Sequence, residues 1–144
     1  MKKITILCLS LCLSGVALAA VSGKALTTPP SDDSVQVFWQ KFKAAVIANE
    51  REAVANLSRF PIEMSYGIAS IRNRAQLRRR YREVFNQQTD AAKCFATAQP
   101  EIDTANRKRF TVACPDAAGN EVVIYHFLRT GSGWKFTGLD NLNE

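Results

Sequence analysis

Val35, Phe38, Trp39, Phe42 and Val46 recur at helical spacing, and Gln36, Gln40, Lys41 and Lys43 fall outside their arc. That pattern predicts a first helix with one apolar face. Asp33 stands at the N-cap position with Gln36 three residues on, and Asn49 breaks the run. A short second helix is expected over 51–58, with Val54 and Leu57 inward. Proline cannot donate to a sheet ladder but is tolerated at the start of a strand, so Pro61 predicts a short edge strand over 61–66. Gly67 then turns the chain, and 68–71 returns beside that strand. Asn73 caps a third helix with Gln76 at the reciprocal position, and Leu77, Tyr81, Val84 and Phe85 form its apolar stripe.

The second half switches to strand signals. Residues 94–103 and 107–114 flank the turn Thr104-Ala105-Asn106, and Phe110, Val112 and Cys114 alternate with Thr111 and Ala113. Residues 115–120 read as a turn and 121–130 as a strand apolar on both faces. Gly131-Ser132-Gly133 turns the chain into a last strand over 134–139. The expectation is a four-stranded antiparallel meander roofed by amphipathic helices.

Two features lie outside this pattern. Lys2 and Lys3 precede an apolar run over 4–16 that ends in Ala17-Leu18-Ala19, a small-x-small cleavage pattern, so 1–19 is read as a signal peptide. Cys8 and Cys12, each preceded by Leu, leave with it. Residues 20–33, with Pro29 and Pro30 and little to bury, form a flexible lead-in, and 34–144 is one domain. Cleavage removes two lysines and no acids, so the formal charge drops from +6 to about +4. That is too mild for a dedicated nucleic-acid binder, and no membrane span is expected after cleavage. Export, to the periplasm or beyond, also places Cys94 and Cys114 under oxidising conditions. Pairing outward from the turn at 104–106 brings them nearly opposite each other, so a disulfide locking that hairpin is expected, and it would contribute about 3 kcal/mol. The spacing of these cysteines and His126 does not suit zinc, and neither a metal nor a cofactor is expected.

The candidate chemistry is sparse. Six arginines, Arg72, Arg74, Arg78, Arg79, Arg80 and Arg82, crowd the third helix. A solvated face is the plain reading; the sharper one makes Arg74, Arg78 and Arg79 a site for an anion or an acidic partner. His126 is the only histidine and shares a strand face with Val122, Ile124 and Leu128. It reads as a pocket-wall residue, with general acid or base as the sharper alternative. There is no phosphate loop, nucleophile elbow or metal-ligand cluster in the sequence.

The order of elements resembles the nuclear transport factor-like (SnoaL-like) superfamily of α+β domains with a cystatin-like fold. Its carriers are Phe38 to Val46 on the first helix, Phe60-Pro61, the stripe Leu77, Tyr81 and Phe85, and the closing Gly133-Trp134-Lys135-Phe136 strand. The resemblance implies a cone-shaped domain, three helices on a curved, mostly antiparallel sheet, with a pocket at its mouth. Trp39, Tyr66, Tyr81, His126 and Trp134 are its candidate ligand-binding wall. It also implies homodimerisation through the outer sheet face. Members include isomerases, dehydratases, ligand binders and protein adaptors, so the fold does not choose among functions. The leading reading is a non-catalytic exported binding domain for a small apolar ligand or a protein. The alternatives are a lyase or isomerase with His126 as base, and an inhibitor or immunity-type protein acting through the arginine helix.

Overall fold

The computed structural model describes residues 32–65, 69–116, 118–119 and 122–141. The expected signal peptide, nearly all of the lead-in, Tyr66 and the Gly67 turn lie outside the described residues. Helix α1, Asp32–Ile47, turns Val35, Phe38, Trp39, Phe42 and Val46 inward as the spacing requires. Asn49 closes it with a left-handed φ of 55°. Its N–H bonds Val46 O at 3.0 Å and the Glu50 N–H bonds Ala45 O at 2.8 Å, the paired bonds that satisfy a helix C-terminus when an αL residue follows.

Helix α2, Arg51–Asn56, stops two residues short of the expected end because Ser58 already pairs with the last strand. Strand β1, Ser58–Met64, therefore begins earlier than 61, and Pro61 lies within it, after a cis peptide bond. The proline is tolerated there because β1 is an edge strand and its register breaks between Ser58 and Glu63. Among the described residues the expected return over 68–71 shows as one antiparallel bridge, Ile62 to Ile71, both fully buried.

Helix α3, Arg74–Arg79, starts as read: the Asn73 side chain accepts from Gln76 N at 3.0 Å, and Gln76 Oε1 accepts from Arg72 N at 2.7 Å. It then departs from a regular helix at Arg80 and continues as a π turn, Glu83–Gln87. The wider turn still buries Leu77, Tyr81, Val84 and Phe85, and the buried Tyr125 hydroxyl donates to Val84 O at 2.9 Å.

The largest correction falls on Cys94. Its segment is not a strand but helix α4, Ala91–Thr97, capped by Asp90, whose side chain accepts from Lys93 N at 3.1 Å. A cap followed by Ala91, Ala92, Lys93 and Ala96 is strong local helix chemistry, and it overrides the strand reading. Of the expected first strand only β2, Glu101–Ile102, remains, opposite Thr111 and Phe110. The Asp103 side chain accepts from the N–H groups of Ala105 and Asn106, both at 2.9 Å, and holds the turn that follows. The disulfide Cys94–Cys114 is formed, with Cα atoms 5.8 Å apart; it ties a helix to the sheet and does not lock a hairpin.

Strands β3, Arg109–Pro115, β4, Val122–Thr130, and β5, Gly133–Asn141, complete a five-stranded mixed sheet of order β1-β5-β4-β3-β2, antiparallel except where β1 runs parallel to β5. Phe110, Val112, Val123, Tyr125, Phe127, Trp134 and Phe136 are buried with the apolar faces of the helices. Thr111, Ile124, His126, Leu128 and Thr137 point to the other, open face. The register between β4 and β5 shifts at His126/Phe127, so Phe127 pairs with Phe136 while His126 pairs with Gly138. Thr137 is the extra residue of this bulge, and beyond it the faces exchange. Gly138 belongs there, because a Cβ would lie 2.9 Å from Glu63 O of β1.

The disulfide closes a sequence separation of 20 residues. Replacing both Cys94 and Cys114 by Ser is expected to lower the free energy of unfolding in urea by about 3 kcal/mol. An unchanged urea midpoint would show that the bridge stabilises nothing.

Candidate functional site

The open face of the sheet carries a groove of ≈ 680 Å³. Its floor is His126 and Leu128 of β4, Thr111 of β3, and Thr137 and Gly138 of β5; Arg59, Glu63 and Met64 of β1 form one wall, and Asp103 and Arg109 the other. Ser65 and Asp140 close the end beside His126. Apolar and polar groups thus alternate along one surface, with charges of both signs at its rim.

His126 Nε2 lies 3.7 Å from Asp140 Oδ2, beyond hydrogen-bond distance, and the atom is buried with no hydrogen-bond partner among the described residues. Asp140 is engaged instead by Ser65, whose hydroxyl donates to Oδ1 and also lies 3.3 Å from Leu139 O. Thr137 Oγ1 donates to His126 O at 3.1 Å. Burial pushes the His126 pKa below its ordinary value of 6.5; Asp140 opposes that shift and Arg109 adds to it. The imidazole is therefore neutral at pH 7, one nitrogen carrying a proton and the other free to accept one. It is not aligned with a nucleophile, because the nearby hydroxyl of Ser65 faces the carboxylate.

The residues singled out in the sequence do not meet at one place. Trp39 is fully buried, its indole N–H donating to Ala98 O at 3.2 Å, and Trp134 is buried with its N–H on Ser34 Oγ at 3.2 Å. Both belong to the helix side of the sheet, as does Tyr81, whose pKa burial raises to about 12. His126 lies on the opposite face. Arg74 and Arg78 converge on Glu52 at 3.0 and 2.9 Å, while Arg79 is exposed. Arg80 pairs with Glu83 at 2.7 Å.

Asp140, Ser65 and Arg109 were not legible as partners of His126. Alternation counted from Trp134 and Phe136 points Asp140 inward, and only the bulge at Thr137 turns it outward. Among the described residues no three His, Cys, Asp or Glu side chains gather to hold a metal, and no helix is long and apolar enough to cross a membrane.

The architecture is α+β with helices on one face of a mixed sheet, as the nuclear transport factor-like resemblance implies, and α4 is added to the three helices expected. Solved structures similar to it include a nuclear transport factor 2-like protein with a cystatin-like fold from Novosphingobium aromaticivorans, 16% identical, covering 77% of this chain and 81% of that one at a TM-score of 0.43. A cystatin-like domain from Nostoc punctiforme is 14% identical over 82% of this chain and 80% of its own, at a TM-score of 0.45. A hexachlorocyclohexane dehydrochlorinase is 11% identical over 78% and 84%, at a TM-score of 0.42. No family model matches the chain, and no curated protein matches its sequence. At these identities and scores no residue role is carried across.

Since folding favours the neutral imidazole, His126 contributes stability above pH 6.5 that is lost as the pH falls through its folded-state midpoint. NMR titration is expected to place that midpoint below 6.5, lower still in Asp140→Asn and higher in Arg109→Gln. A wild-type midpoint above 6.5 would contradict the burial account.

Proposed function

We propose that this chain is an exported, non-catalytic binding domain that takes a small ligand or a segment of a partner protein in the groove on the open sheet face. One observation carries the reading. The space between helices and sheet is occupied by a continuous packing of rings, Phe42 lying 5.0 Å from Phe127, 5.4 Å from Phe136 and 6.2 Å from both Phe85 and Phe95. On this reading the ligand lies in the groove on the other side of the sheet, where Leu128, His126 and the threonines of the floor meet charged groups at the edges. Export rests on the signal-like segment at 1–19 and fits the Cys94–Cys114 bridge, which needs an oxidising compartment to persist.

The second reading, a proton-transfer enzyme with His126 as base, draws on the neutral imidazole and the Asp140 carboxylate 3.7 Å away. It ranks below binding because the pair is not hydrogen-bonded, so Asp140 does not fix the tautomer a base would need.

The test is native mass spectrometry of protein collected from outside the cytoplasm. The expected chain begins at Ala20, lacks the two thiol hydrogens of Cys94 and Cys114, and carries a bound species that Thr111→Trp, which fills the groove, no longer retains. A bound species retained equally by Thr111→Trp, or a chain that keeps residues 1–19, would overturn the corresponding half of the proposal.

A further inference from the structure

A second cleft, of ≈ 480 Å³, opens on the helix side of the molecule, away from His126. Its floor is Val46 and Phe85, its lip the exposed Ile47, and its polar lining is Arg51, Arg82 and the amides of Asn49 and Asn86. Among the described residues no carboxylate lines it. Of the three acids adjacent in sequence to these arginines, Glu52 pairs with Arg74 and Arg78 and Glu83 with Arg80, while Glu50 is exposed at the start of α2 and does not line the cleft.

Among the described residues, Arg51 is held in place by neutral partners. Its Nε donates to Asn49 Oδ1 at 3.4 Å, its Nη1 donates to Arg78 O at 3.2 Å, and its guanidinium carbon lies 5.3 Å from the centre of the Tyr81 ring. The αL turn at Asn49 makes this possible by returning the chain sharply from α1 into α2. Tyr81 is almost fully buried, and its high pKa keeps the ring neutral beneath the cation. A guanidinium positioned in advance, uncompensated in charge and with donors to spare, binds an oxyanion at small entropic cost.

We propose that this cleft is a binding site for a small organic anion, its carboxylate or phosphate held between Arg51 and Arg82 and its apolar body laid against Val46 and Phe85. The site is separate from the sheet-face groove and does not depend on the function proposed for that groove. It also redirects the anion-binding role expected of Arg74, Arg78 and Arg79. Arg74 and Arg78 share the single carboxylate of Glu52, whereas Arg51 and Arg82 border a cleft that no carboxylate lines among the described residues.

The test is an amide and arginine Nε–H NMR titration of the ¹⁵N-labelled mature chain with hexanoate, and separately with inorganic phosphate. Hexanoate is expected to cause saturable shifts at Arg51, Asn86 and Ala92. Arg51→Gln and Arg82→Gln should each weaken its binding by about tenfold, and Arg79→Gln by less than about twofold. Arg82 is exposed, so Arg82→Gln is expected to leave the fold intact and keeps the test open if Arg51→Gln unfolds. Phosphate, having no apolar body, should bind more weakly than hexanoate. Shifts that do not saturate, equal losses in Arg79→Gln and Arg82→Gln, or phosphate binding as tightly as hexanoate would each overturn the proposal.

Discussion

The packing of Phe42 against the sheet is the contact on which the rest of this structure depends. Its ring reaches Phe38 and Trp39 along α1, Phe85 and Phe95 from the other helical segments, and Phe127 and Phe136 from β4 and β5, all at centroid distances between 5.0 and 6.4 Å. Aromatic side chains bury large areas, and each well-placed ring pair adds about 0.5–1.5 kcal/mol beyond that burial. Because α1, α4, the π turn and two strands all meet at one side chain, none of them can move far without opening a gap. The disulfide acts on the same joint. Cys94 directly precedes Phe95 within α4, so the bridge to Cys114 holds the helix that delivers Phe95 against the strand layer.

A filled interior redistributes what the surface can do. With the helix-facing side of the sheet spent on packing, the polar side chains of β3, β4 and β5 are left on the open face, and the groove there gathers them between β1 and the start of β3. The edge strand β1 makes one wall only because Gly138 lets its backbone come close. On the other side, the αL closure of α1 sets Arg51 over Tyr81 and leaves a basic cleft between the helices. The two concavities are chemically unlike. One has charges of both signs and a neutral histidine; the other has arginines and amides above an apolar floor.

Much of this was legible in the chain. The spacing of Phe38, Trp39 and Phe42, the Asn73 cap and the alternation of Phe110, Val112 and Cys114 each specify a buried face through a local rule, and the structure follows them. The disulfide pairing was legible as well, though through the wrong geometry. The β appearance of 94–103 outweighed the Asp90 cap and the alanines that make α4 helical. What local rules cannot reach are properties of register. The bulge at Thr137 reverses the facing of Asp140 and brings it to His126, and no pattern within β5 announces that extra residue. The gathering of Trp39, Tyr81, His126 and Trp134 failed for a related reason: a sheet has two faces, and His126 falls on the face opposite the other three. Arg51 went unnoticed because its position depends on a single backbone turn.

The region between helices and sheet is packed solid, which is why ligand binding is proposed outside it. Urea unfolding of Phe42→Ala tests this most directly. A ring packed on all sides predicts a loss of about 3–5 kcal/mol with an unchanged dependence on denaturant. A loss below about 1 kcal/mol would mean that Phe42 borders an open internal cavity, with room for a ligand where a solid core is claimed.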